Sequence, residues 1–154
     1  MAIVGSGGSA RALAHAASWA GAHVIVASRR VAPGRGLARA VGGRHVMLSK
    51  LSRERYDVLI NCTPLGMSGG AAANASLPDA AIKGRLVYDV IYRPRETALL
   101  RKAQQRGIPT LGGLEMLVRQ AADQYVLFTG RDAPLDAMRD AARMALERVE
   151  ENGG

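Results

Sequence analysis

The chain has 154 residues and one cysteine, and its 21 Lys and Arg against 13 Asp and Glu give a net charge of +8. That length suits one domain whose core buries roughly 68–70% of the unfolded surface, and a lone Cys62 excludes an internal disulfide and fits a reducing cytoplasm. The charge favours anionic partners, but aromatics at 4% with no interleaved basic run argue against a base-stacking nucleic-acid surface, and no stretch is long and apolar enough to span a bilayer.

Ala2-Ile3-Val4 reads as a short buried strand, and Gly5-Ser6-Gly7-Gly8-Ser9-Ala10 as a glycine turn opening a helix over about 8–20. Gly5 permits the tight turn, and Gly7 lets backbone approach a bulky group. A helix opening near Gly8 aims unpaired N–H groups and a positive dipole end at an anion. Ala10, at the third position of the glycine pattern, is small enough for close helix–strand packing. The six residues from Gly5 to Ala10 are therefore candidates for cradling a dinucleotide pyrophosphate. The helix carries Leu13, Ala16, Ala17 and Trp19 as the expected sheet-facing set and ends at Gly21. A secretion signal is not expected, because glycines and Arg11 interrupt the apolar run and the same residues make a good strand, turn and helix.

The apolar run over 23–28 reads as a strand covered on both faces, which completes a strand–helix–strand crossover. At its end stand Ser28, Arg29 and Arg30, where the ribose of a bound dinucleotide would lie. An acidic residue here would accept a 2′-hydroxyl, whereas arginine and a small hydroxyl suit a 2′-phosphate. No Asp or Glu occurs between Met1 and Lys50, so the expected cofactor is NADP, with Arg29 as clamp and Ser28 as a short donor. Pro33 and Gly34 lead towards a helix over 37–41, followed by a strand over 45–48, a polar segment over 50–56 and a strand over 57–60. His15, His23 and His45 share no metal-ligand spacing, so no metal site is expected.

Asn61-Cys62-Thr63-Pro64-Leu65-Gly66-Met67 follows that fourth strand and faces the same crevice as the glycine turn, if the sheet is open and parallel. Cys62, Thr63 and Pro64 become cofactor-binding candidates by that placement. Residues 68–83 read as a mobile loop, 85–92 as a fifth strand ending in Tyr92, and Thr97 as the entry to a helix that Gly107 ends. A sixth strand spans 108–111. A last helix from Asp132 to about Glu151 carries Leu135, Met138, Ala142, Ala145 and Val149 as an apolar stripe.

Gly-x-Gly-Gly-x-x-Arg-Ala from Gly5, Asn-x-Thr-Pro-Leu-Gly-Met from Asn61, Asp-Val-Ile-Tyr-x-Pro-x-x-Thr from Asp89 and the block from Gly112 to Ala122 occur in one order. Together they resemble shikimate dehydrogenase, specifically its NADP-binding domain, from the first strand to about Gly130. The resemblance implies an α/β, Rossmann-like doubly wound parallel sheet of order 3-2-1-4-5-6 with a C-terminal helical tail. It divides the chain into an NADP-binding domain (1–118) and helices (119–154) that would pack on a preceding substrate domain. It also implies that Tyr92 lies beside substrate and nicotinamide, that Gly113 meets the nicotinamide carboxamide through its main chain, that Met116 lines the ring pocket and that Gln120 hydrogen-bonds a substrate hydroxyl. The catalytic lysine and aspartate of such enzymes have no match here, so no catalytic residue is assigned. The expected reaction of the parent enzyme is reduction of 3-dehydroshikimate to shikimate with NADPH. The chain itself is expected to be an inactive fragment, cytoplasmic, that self-associates through its last helix or leaves it disordered. A quinate-using relative and a non-catalytic NADP-sensing module are the alternatives.

Overall fold

The computed structural model describes residues 1–69 and 73–152. Strands β1 (Ala2–Val4), β2 (Ile25–Ser28), β3 (Arg44–Met47), β4 (Val58–Asn61), β5 (Leu86–Asp89) and β6 (Thr110–Leu111) alternate with helices α1 (Gly8–Trp19), α2 (Val31–Ala40) and α3 (Ala98–Gln104). Helices α4 (Gly113–Thr129) and α5 (Leu135–Asn152) close the chain. All six strands are parallel, in the order β3-β2-β1-β4-β5-β6 that the resemblance implies.

Central strands are apolar throughout because both faces are covered. Ile3, Val26, Ile60 and Tyr88 pack with Ala10, Ala14, Leu37 and Ala38 of α1 and α2. Val4, Ala27, Leu59 and Val87 pack on the other side with Leu51, Leu77, Leu99 and Leu100. Register brings the strand ends level: Val4 lies opposite both Ala27 and Asn61, and Asn61 opposite Asp89. The loops leaving these residues therefore open on one edge, with β1 and β4 at the point where strand order reverses.

Several local expectations are corrected. The sheet-facing stripe of α1 is Ala10, Ala14 and Ala17, while Ala16 is exposed and Trp19 is 85% exposed, its ring tilted at 48° against that of His15. Close approach of helix to sheet selects alanine, and the indole falls off that stripe. Helix α2 starts at Val31, directly after the arginines, with Pro33 in its first turn, where a missing N–H breaks no helical bond. The polar segment holds a 3₁₀ turn, Leu48–Arg53, that buries Leu51 completely. Strand β5 stops at Asp89, because the Asp89 side chain takes the Ile91 N–H at 3.2 Å, and Tyr92 stands in the following loop.

Of the stretch read as a mobile loop, Leu77, Ala81 and Ile82 are buried around a 3₁₀ turn, and residues 70–72 lie outside the described residues. Helix α4 continues unbroken through the division placed after residue 118. Helix α5 folds back against it, tied by Arg139 to both carboxylate oxygens of Glu115 at 3.0 and 3.1 Å. Leu146, rather than the exposed Ala145, continues the buried stripe of α5. Leu127 and Phe128 at the end of α4 are 82% and 81% exposed. Among the described residues, no helix is long and apolar enough to cross a membrane, and no group of three His, Cys, Asp or Glu could hold a metal ion.

Candidate functional site

A cavity of about 580 Å³ opens at the carboxyl ends of β1, β2 and β4, lined by Gly5, Ser6, Gly7, Ser28, Arg29, Arg30, Cys62, Thr63 and Pro64 among others. Nine of the sequence candidates thus share one crevice. Gly5 has φ +116°, and a Cβ there would stand 3.0 Å from the Cys62 carbonyl oxygen, so the β1 turn can lie this close to the β4 loop only as glycine. At Gly7 and Gly8 a Cβ would meet nothing within 4 Å. These two glycines leave open space over the start of α1, whose N-cap has no side-chain hydrogen bond and whose first turn has no acid. Such an end is built for an anion.

A second cavity, about 600 Å³, lies between α1 and α4 and brings together Gly8, Ser9, Met116 and Gln120 with Leu13 and Tyr88. Gly8 is therefore the step between the two cavities. Ala10 lines neither of them: it is fully buried beneath the turn, against the sheet. Tyr92, 44% exposed, also lines neither. Gly113 is buried, its N–H donates to the Ile91 carbonyl oxygen at 3.1 Å, and a Cβ would stand 2.1 Å from the Val90 carbonyl oxygen. Packing of α4 onto the end of β5 accounts for glycine at this position.

Ser28 departs from its expected role. The side chain is only 4% exposed, and its hydroxyl donates inward to the Arg30 carbonyl oxygen at 2.8 Å, with His45 Nε2 at 3.0 Å. The hydroxyl holds the turn, and Arg29 and Arg30 stand exposed on it.

Beneath the β4 loop runs a buried polar network that sequence reading did not assemble. Asn61 Oδ1 accepts from the Thr63 N–H at 3.1 Å and the Thr63 hydroxyl at 2.6 Å, while Asn61 Nδ2 donates to Asp89 Oδ1 at 3.0 Å. Thr97 donates to Asp89 Oδ2 at 2.7 Å and accepts from the Leu100 N–H at 3.3 Å, capping α3. The crevice loop is thus fixed to the loop after β5 and to α3. Burial pushes the Asp89 carboxyl up from its ordinary range, and the hydrogen bonds from Thr97, Ile91 and Asn61 oppose the shift. Burial, aided by the charge of Asp89, pushes the Cys62 thiol up to about 12, so it lines the crevice as an inert small apolar group. The signal for this network was an aspartate within an otherwise apolar strand.

The family described as Shikimate 5'-dehydrogenase C-terminal domain matches residues 113–143. The shikimate dehydrogenase (NADP(+)) of Halobacterium salinarum is 42% identical over 146 residues, covering 94% of this chain and 54% of its own length. This similarity to shikimate dehydrogenases extends over nearly the whole of this chain. The chain spans about half the length of the shikimate dehydrogenases that it matches. Among solved structures, this chain is similar to the shikimate 5-dehydrogenase of Thermus thermophilus in complex with NADP(H) and shikimate, with TM-score 0.82 and 35% identity, over 94% of this chain and 54% of that one. Quinate dehydrogenase from Corynebacterium glutamicum in complex with NAD is similar at TM-score 0.79 and 30% identity, over 94% and 54%. These two neighbours carry different dinucleotides on one fold.

Proposed function

We propose that this chain binds NADP(H) across the crevice and forms the cofactor-carrying part of an oxidoreductase of the shikimate dehydrogenase type, acting on 3-dehydroshikimate and shikimate. One observation carries the reading: an open glycine turn at a helix N-terminus faces two exposed arginines, with no acid in the sequence before Lys50. Pyrophosphate would take the N–H groups at the start of α1, and a 2′-phosphate would take Arg29 and Arg30, whose planar donors suit phosphate oxygens. The second cavity supports placing Met116 at the nicotinamide and Gln120 at a substrate hydroxyl. Tyr92 and the main chain of Gly113, which line neither cavity, are assigned to that end by the family resemblance alone.

Bound NADPH supplies a hydride for carbonyl reduction. This chain orients the donor, and Cys62, Thr63 and Pro64 shape the wall against which it lies. No proton-transfer residue is assigned here. Proton transfer and most substrate contacts are placed in the half of the relatives' length that this chain does not align with, and the chain alone is expected to turn over little substrate. Quinate as substrate is the second reading, favoured by the likeness to a quinate dehydrogenase. Leu127 and Phe128 form an exposed apolar end of α4, which supports docking against a substrate-binding part or a second copy of the chain.

Fluorescence titration with NADPH and NADH tests the cofactor. NADPH should bind more tightly, and Arg29→Ala should cost NADPH about 1.5–3 kcal/mol, as for a hydrogen bond to a charged group, with NADH unaffected. Equal affinities for the two nucleotides, or unchanged NADPH binding in the variant, would overturn the reading.

A further inference from the structure

Three elements converge behind the arginines. Strand β3 pairs with β2 so that His45 lies opposite Val26, on the same face as Ser28 two residues on. Gly34, in the first turns of α2, is buried against both: a Cβ there would stand 2.2 Å from Ser28 Oγ and 2.6 Å from His45 Nε2. Glycine at position 34 is thus what allows the Ser28–His45 pair to form under the helix.

The hydrogen bonds have one consistent polarity. Ser28 has a single hydroxyl hydrogen and donates it to the Arg30 carbonyl oxygen at 2.8 Å, which also accepts the Gly34 N–H at 3.3 Å. The 3.0 Å contact between Ser28 Oγ and His45 Nε2 is then satisfied when Nε2 carries a hydrogen and donates it. Burial and the like charge of Arg35 hold the His45 ring below the ordinary histidine range, so it is a neutral donor at pH 7. The chain of bonds runs from His45 to Ser28 to the Arg30 carbonyl, and so to the start of α2.

We infer that His45 is a positioning residue for cofactor choice: acting through Ser28, it holds the Arg29–Arg30 turn in the shape that receives a phosphate monoester on the ribose. His45 does not touch the ligand. Its effect is confined to nucleotides that carry the 2′-phosphate, because only that group engages the turn. The inference rests on the NADP(H) reading above.

The test is titration of NADPH and NADH into wild type, His45→Ala, His45→Gln, Ser28→Ala and the His45→Ala/Ser28→Ala double variant, with thermal melting of each. His45→Ala should weaken NADPH binding about three- to ten-fold, the effect of one lost neutral hydrogen bond, and leave NADH unchanged. His45→Gln, which keeps an N–H donor at similar reach, should restore most of the loss. The double variant should bind NADPH no more weakly than Ser28→Ala, since both act through one link. Unchanged NADPH affinity in His45→Ala, equal losses for NADPH and NADH, or additive losses in the double variant would each overturn the inference. Failure of the wild type to prefer NADPH would instead overturn the cofactor reading, and this inference with it.

Discussion

Asp89→Ala is expected to lower the unfolding free energy by about 3–4 kcal/mol in urea denaturation, more than most single substitutions cost. The carboxylate is fully buried and accepts from three donors: Asn61 Nδ2, the Ile91 N–H and the Thr97 hydroxyl. Alanine leaves all three without that acceptor in a site with little access to water, and each orphaned group costs about 1–3 kcal/mol. Loss of the network also frees the crevice loop from α3, so ligand binding should weaken with stability. Asp89→Asn separates charge from hydrogen bonding. Burial raises the folded carboxyl above its ordinary value of 3.8, so its contribution to stability is full below that value and is lost as pH rises through the folded one. Asparagine keeps the Oδ1 acceptor and carries no charge, so it should cost about 1 kcal/mol and remove that pH dependence. A melt of Asp89→Ala indistinguishable from wild type would contradict the account of this network.

Gly113→Ala is expected to destabilise by about 3 kcal/mol, at the upper end for overpacking. The obstacles to a Cβ are backbone atoms: the Val90 carbonyl oxygen at 2.1 Å, its carbon at 2.4 Å and the Ile91 carbonyl carbon at 2.8 Å. None of them can rotate away as a side chain would, so α4 must lift from the end of β5 and break the 3.1 Å bond from Gly113 to Ile91. Gly8→Ala provides the contrast. It is the first residue of α1, with nothing within 4 Å of a Cβ. Its melting temperature should stay near that of wild type, while NADPH affinity falls because the methyl fills the space over the helix N-terminus. Chemical denaturation of the two variants beside nucleotide titration checks both. A Gly113→Ala protein as stable as wild type would show that α4 is not seated on β5 as described.

These contrasts mark where the sequence was legible. The strands, the glycine turn and the arginines in place of an acid at the end of β2 were readable because each rests on a local pattern, whereas the order of the strands in the sheet came from the likeness of four motifs to a known family. What escaped was set by contacts between distant segments. Trp19 invites burial by hydropathy, yet the narrow gap between α1 and the sheet is filled by Ala10, Ala14 and Ala17. Pro33 and Gly34 look like breakers, yet one sits where a helix lacks partners anyway and the other makes room for His45 and Ser28. The inward turn of the Ser28 hydroxyl depends on β3, and the glycine at 113 on Val90; neither neighbour is close in sequence. On α5 the stripe passes through Leu146 because the helix is seated against α4, a contact that periodicity alone does not specify.

The central claim, that the crevice over Gly5 to Ser9 takes NADP(H) with its 2′-phosphate at Arg29, is tested most directly by amide chemical-shift mapping of this 154-residue chain. Addition of NADP⁺ should shift the amides of Ser6, Gly7, Gly8, Arg29, Arg30 and Thr63, and 2′-phosphoadenosine fragments should shift Arg29 and Arg30 without Met116. Shifts confined to the opposite end of the sheet, around Arg44 and Tyr56, or no shifts at NADP⁺ concentrations that saturate relatives, would contradict it.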